Sequence, residues 1–322
     1  MVGGMPKHFD LSNPTFFRIS QAAIESLTAV CVNSFLIISG FFGIKLKMQS
    51  IWKIWLLLIS IYVPFYVVNS IFINEFSIIA FQNNICAFTR ESYFVQCYLM
   101  LMLLSPIFNS FIEKYNRYQI LIYVIFLWII EFSLDILVKN QSLGFNHGYS
   151  LIHFVLMYLL GRSAYQFKKE IIQIRKLYYV FGYMICALML FVAYICVGRP
   201  QIIFAYSNPI VIIESFCLFF CFIYTPFHNR VINTIASSTF AVYIMHTCSP
   251  MYEFCCFMDS YLLKNYCYSS YVLLLSLFII LIFSFCILYD KIRLILTERI
   301  TDRAFVYLEN KFKNLINGEF LD

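Results

Sequence analysis

Nine stretches of roughly 20 mostly apolar residues punctuate this 322-residue chain, and no other feature limits its fold so sharply. They run over 24–44, 51–73, 92–112, 118–138, 149–167, 177–197, 202–224, 235–257 and 270–290. At about 1.5 Å of rise per residue, each is long enough to cross roughly 30 Å of hydrocarbon as a helix. Lipid offers no partners to backbone N–H and C=O groups, so these segments must be helices rather than open strands. The expected fold is therefore all-α, a polytopic membrane helix bundle with about nine transmembrane helices. The chain is 61% hydrophobic and 12% charged, with a mean hydropathy of +0.78. Soluble domains carry about 25% charged residues, and a soluble chain of this makeup would aggregate. The seventh and eighth stretches are the most interrupted: one holds Asn208, Pro209 and Glu214, the other His246, Pro250 and Glu253.

The net charge of +6 gains meaning once the charges are placed. Seventeen of the 23 Lys and Arg residues fall in the C-terminal tail and around the connections after the first, third, fifth and seventh stretches. The positive-inside rule then puts the C-terminus in the cytoplasm and residues 1–23 outside. Topology accounts for the basic balance, and no nucleic-acid partner is implied. Residues 1–20 show no basic, apolar and small-residue succession of a secretory signal. The segment "DKIRLILTERITDRAFVYLENKFKNL" alternates apolar and charged residues at helical spacing. It is expected to lie along the inner membrane surface, with its cations toward anionic headgroups. The domain reading is one membrane domain over 1–290 and a cytoplasmic amphipathic tail over 291–322.

Most of the twelve cysteines do not suggest a disulfide framework. Cys31, Cys97, Cys186, Cys196, Cys217, Cys221 and Cys286 lie in spans, where a thiol behaves as a small hydrophobe. Cys217 and Cys221 share a helix face, but nothing nearby completes a zinc site, so no metal is expected. Cys86 and Cys267 both fall in predicted outer connections; the sequence leaves their pairing open.

Polar side chains within a bilayer cost several kcal/mol unless paired or wet, which makes each a functional candidate. Four segments concentrate them. In "VNSFLIISGFFGIK", Asn33, Ser39 and Gly40 lie within an apolar helix, and Asn33 and Gly40 share a face. Close helix packing explains small residues there equally well. In "FTRESYFVQCYLMLMLLSPIFNSFI", Arg90 and Glu91 stand at the outer mouth of a helix carrying Tyr93, Tyr98 and Asn109. Pro106 in that helix frees a carbonyl that only protein or water can satisfy. In "NHGYSLIHFVLMYLLGRSAYQFKK", His147 and Tyr149 precede His153, and Tyr158 and Arg162 mark the inner end. Lys168, Lys169, Arg175 and Lys176 follow, as topology requires or as a phosphorylated ligand would. In "NTIASSTFAVYIMHTCSP", Tyr243 and His246 share a helix face, and a histidine in a pocket suits proton transfer. A bonded structural histidine fits either His153 or His246 as well.

Taken in this order, the four segments, with "SNPIVIIESFCLFF", resemble acyltransferase family 3. These are integral membrane proteins that O-acylate cell-surface sugars. The resemblance covers residues from about 30 to 250. It implies about ten helices, a cytoplasmic acyl-CoA donor, most simply acetyl-CoA, and a sugar acceptor on the outer face. It implies location in the cell inner (plasma) membrane, with membrane lipid and a surface glycan or its lipid-linked precursor as partners. Asn33, Ser39, Gly40, Arg90, Glu91, Tyr93, Tyr98 and His153 would line the acceptor cavity. Tyr158, Arg162, Lys168 and Lys169 would face the donor, and His246 with Tyr243 would supply the catalytic pair. The family's first helix, with its histidine, has no counterpart here, and His8 lies in a polar stretch that cannot take its place. The expectation is that "MVGGMPKHFD" is the outer loop following that helix and that the coding sequence extends upstream; the alternative is a shortened, inactive product. A polysaccharide polymerase or flippase is the rival reading, although the longest outer connection, about 74–91, is short for one.

Overall fold

A computed structural model describes residues 16–86, 93–137, 146–223 and 229–316. It is 88% helix, with no strand among the described residues. Arg90, Glu91, His8 and the opening decapeptide lie outside them. Six helical segments are long and apolar enough to cross a membrane: Ile19–Phe42, Met48–Ile73, Tyr93–Lys114, Arg117–Asp135, Lys176–Val197 and Tyr268–Thr297. The chain thus has the makeup of a multi-pass helical membrane protein.

The remaining three expected stretches form shorter or broken helices. The fifth is a 16-residue helix, Leu151–Gln166. The seventh splits into Pro200–Ile203 and the 15-residue Pro209–Ile223. Asn208 makes that break, donating from Nδ2 to the Ile203 carbonyl at 2.9 Å and accepting from the Ile210 N–H at 2.9 Å. The eighth splits at Cys248 into Arg230–Thr247 and Ser249–Asn265, the second opening with Pro250 in its first turn.

In chain order the helices are α1 (Phe16–Thr28), α2 (Cys31–Phe42), α3 (Met48–Ile73), α4 (Ile78–Cys86), α5 (Tyr93–Lys114) and α6 (Arg117–Phe132). There follow α7 (Leu151–Gln166), α8 (Lys168–Gln173), α9 (Lys176–Val197), α10 (Pro200–Ile203), α11 (Pro209–Ile223), α12 (Arg230–Thr247), α13 (Ser249–Asn265) and α14 (Tyr268–Ile316). They divide into two compact units.

One unit holds α1, α2 and α5 to α11. Its central contact is α2 against α7, and glycine makes it possible. A Cβ on Gly40 would run into the Tyr158 carbonyl, and one on Gly161 would lie 2.5 Å from the Ile37 carbonyl. Small residues let the two backbones meet, as membrane helix pairs require. Ala22, Ala29, Leu190, Tyr194, Ile203 and Val211 form a buried apolar cluster joining α1, α9, α10 and α11. In α5, Ser105 donates its hydroxyl to the Met102 carbonyl at 2.7 Å, the carbonyl that Pro106 leaves without its helical donor. At the end of α6 the chain forms a π-helical turn, Ser133–Leu137.

The other unit holds α3, α4 and α12 to α14. Pro64 lies inside α3, and Tyr289 of α14 donates its hydroxyl to Ser60 O, the carbonyl that proline leaves free. Helix α14 is 49 residues long, about 74 Å at helical rise. Residues 291–316 continue the last apolar helix without a break, so no change of secondary structure marks the expected domain boundary.

Candidate functional site

The polar residues of α7 are built into the first unit one after another. His153 is wholly buried, as is Asn33 of α2. Asn33 Nδ2 donates to the Tyr206 carbonyl at 2.9 Å, which turns Oδ1 toward the imidazole. His153 Nε2 lies 2.8 Å from that oxygen and must be the donor. On the other side, Nδ1 lies 3.1 Å from Oε2 of Glu131, a residue 1% exposed. One shared proton completes this contact, and Oε1 of Glu131 is buried with no partner. Ser150 caps α7 by accepting from the His153 N–H at 3.2 Å, which fixes where the helix begins.

Next along the helix comes an aromatic and hydroxyl layer. Phe94 packs on Phe154 with ring centroids 5.1 Å apart, and Phe35 on Tyr98 at 5.3 Å. The Tyr98 and Ser39 hydroxyls lie 3.4 Å apart, while Ser39 donates to Phe35 O at 2.9 Å. Below it, Tyr158 donates to Asn109 Oδ1 at 2.7 Å and accepts from the Ile44 N–H at 3.2 Å. Asn109 Nδ2 returns to the Ile44 carbonyl at 3.0 Å. The peptide groups at the end of α2 are thereby clasped.

Arg162 stands beside that turn. Gly43 has φ 76, and a Cβ there would lie 2.9 Å from the Arg162 Nη1. The Arg162 Nε is buried with no partner, and its guanidinium lies 5.6 Å from the Tyr165 ring centroid. Lys168 sits 5.9 Å from the Phe41 ring, and Lys169 is exposed on α8. On the same connection, Glu170 pairs with Arg117 at 2.5 Å. Its own backbone N–H, then the Arg117 guanidinium, hold the Glu170 carboxyl below the usual glutamate range.

The opposite end of α7 carries a second polar group that the sequence reading did not assemble. Asp135, in the π turn, accepts from the His147 N–H at 2.9 Å and from the Ser207 hydroxyl at 2.8 Å. Trp128 Nε1 donates to Ser207 O at 3.3 Å. Tyr149 lies between Tyr93 and Tyr206, with ring centroids 5.1 and 4.9 Å away.

The structure therefore brings together Asn33, Ser39, Gly40, Tyr98, His153, Tyr158 and Arg162 along α7, with Tyr93 at one end and Lys168 at the other. Tyr243 and His246 belong to α12, in the other unit. There His246 donates from Nδ1 to the Val242 carbonyl at 2.9 Å, and its ring meets Tyr243 edge-on at 5.7 Å. That bond leaves Nε2 as the acceptor. Glu131 and Asp135 were missed as site residues; both are acids inside an apolar stretch, the signal that marked Asn33. Among the described residues no group of three His, Cys, Asp or Glu is placed to hold a metal ion. Cys267 is a free, exposed thiol, and the Cys86 side chain lies outside the described residues. Comparison with protein-family models, with curated proteins and with solved structures gives no match to this chain.

Proposed function

We propose that this chain is a membrane-bound O-acyltransferase of the O-acetyl type. It moves an acyl group from cytoplasmic acyl-CoA to a hydroxyl of a cell-envelope or capsular sugar, in the inner (plasma) membrane. The observation that carries this reading is the line of polar groups on α7, from His153 through Tyr158 to Arg162. His153 and Arg162 are nine residues apart, about 13.5 Å along the helix. Buried polar groups in an apolar helical layer are costly, so their concentration on one helix favours a role with a hydrophilic substrate. Arg162, Lys168 and Lys169 supply cations suited to the phosphates of the donor. The tyrosines and carboxylates at the other end suit a hydroxyl-rich acceptor. The topology proposed with it has nine crossings and a cytoplasmic C-terminus, with α7 and α11 as the shorter passages and the α12–α13 pair as a broken one.

Deleting the gene in its own host and weighing the envelope glycans by mass spectrometry tests this. The expected result is loss of acetyl groups from an otherwise intact polymer, restored by re-expression. Loss of the polymer itself would favour a polymerase or flippase, and unchanged acetyl content would overturn the reading.

A further inference from the structure

We propose that His147, oriented by Asp135, is the general base for the acceptor hydroxyl, with the exposed ring of Tyr149 as the platform on which the acceptor's pyranose ring stacks. This rests on the acyltransferase reading above and adds to it a base and an acceptor subsite at one end of α7.

The backbone is the first sign. His147 has φ 53 and is followed by Gly148 at φ 85, two consecutive residues in left-handed conformations. A residue with a Cβ adopts this region at a cost, and such strain is retained where the surroundings enforce it. Here they do. Asp135 Oδ1 accepts from the His147 N–H at 2.9 Å, and the His147 carbonyl accepts from Tyr206 N at 3.0 Å. Gly148 lies so close to Tyr206 that a Cβ would be 2.6 Å from the tyrosine Cβ.

The side chain is the second sign. The His147 side chain is 32% exposed, yet its Nδ1 is buried, has no hydrogen-bond partner and stands 3.6 Å from Asp135 Oδ1. The Asp135 side chain is only 3% exposed, and its other oxygen is held by Ser207. A small rotation closes the Nδ1–H to carboxylate contact, as catalytic hydrogen bonds tighten when substrate binds. That tautomer leaves a lone pair on Nε2, on the part of the ring away from the buried edge.

The third sign is Tyr149, 44% exposed and backed by Tyr93 and Tyr206. Its neighbours fix the ring at little further entropic cost, so it offers a rigid apolar face on a residue of the same backbone turn as His147. In the step proposed, the acceptor hydroxyl oxygen bonds to the acyl carbon of the thioester while its proton passes to His147 Nε2. The carbon–sulfur bond then breaks, and the imidazolium returns that proton to the leaving thiolate.

The test uses the full chain in lipid nanodiscs, acetyl-CoA, and envelope polysaccharide of the deletion strain after alkaline de-O-acetylation. His147→Gln is expected to lower kcat by about 10²–10⁴-fold with little change in acceptor KM. Tyr149→Ala is expected chiefly to raise that KM. In parallel, diethyl pyrocarbonate labelling is read by peptide mass spectrometry: His147 should modify readily, His153 should be spared, and Asp135→Asn should slow His147. Transfer by the wild type with His147→Gln at the same rate, or His147 labelling unaffected by Asp135→Asn, would overturn this proposal alone. No transfer by the wild type would overturn the acyltransferase reading on which it rests.

Discussion

Asn33 and His153, 120 positions apart in the sequence, meet at 2.8 Å in the interior of one unit, with the amide turned so that the imidazole must donate. Because neither residue reaches solvent, the contact cannot be exchanged for water. Asn33→Leu would leave the His153 Nε2–H without its acceptor, at a cost of about 1–3 kcal/mol for a buried group left unsatisfied. A thermal melt of the purified protein in detergent should show a clearly lowered midpoint. A melt like that of the wild type would mean that the pair does not tie α2 to α7.

The α2–α7 crossing makes its own prediction. Gly161→Ala must displace the backbone of α2, and such overpacking costs about 1–3 kcal/mol. Gly182 provides the control, because a Cβ there meets the side chain of Cys217 at 2.8 Å rather than a carbonyl. Gly182→Ala should therefore lower the unfolding midpoint less than Gly161→Ala. The opposite order would contradict the close backbone approach.

Tyr289 and Pro64 should be coupled although they do not bond to each other. Tyr289→Phe removes the hydroxyl that satisfies Ser60 O, a loss of roughly 1 kcal/mol. In a Pro64→Ala background the helix supplies its own donor to that carbonyl, so the same substitution should cost distinctly less. A double-mutant cycle of unfolding free energies checks this, and additive effects would show that the hydroxyl does not serve the proline's carbonyl.

Cys267 tests the orientation. Its thiol is exposed, and a hydrogen bond with the Ser270 hydroxyl at 3.3 Å, followed by the Ser270 backbone N–H, lowers its pKa. The thiolate is the reactive form, so at neutral pH it should react faster than an ordinary exposed cysteine. The advantage should narrow as pH rises past the usual thiol range, and Ser270→Ala should reduce it. A membrane-impermeant maleimide added to intact cells should label Cys267, as located by peptide mass spectrometry. Labelling only after the membrane is opened would reverse the proposed topology.

The membrane helices were legible because hydrocarbon thickness sets a length that composition can be scanned for, and that scan needs no knowledge of which helices touch. Its weakest stretches are those that the structure breaks, at Asn208 and at Cys248 before Pro250, where a capping amide and a proline outcompete helix continuation. The rule that buried polar residues need partners marked Asn33, His153 and Tyr158. It could not show that Glu131 faces His153, or that Asp135 faces His147, because periodicity places a residue on its own helix only. Nor does any sequence pattern show that His147 is left-handed, since that conformation is imposed by Asp135 and Tyr206 from outside the local segment. The assignment of His246 and Tyr243 to the same site as Arg162 came from the family resemblance, and the two sets belong to different units.

Transfer of labelled acetyl groups is the most direct measurement of the central claim. The full chain in lipid vesicles would be given acetyl-CoA carrying a radiolabelled acetyl group, together with de-O-acetylated envelope polysaccharide. The label should appear in the polysaccharide as alkali-labile ester, in amounts that rise with time and with protein. Label that stays on coenzyme A, or is released only as free acetate, would contradict the account.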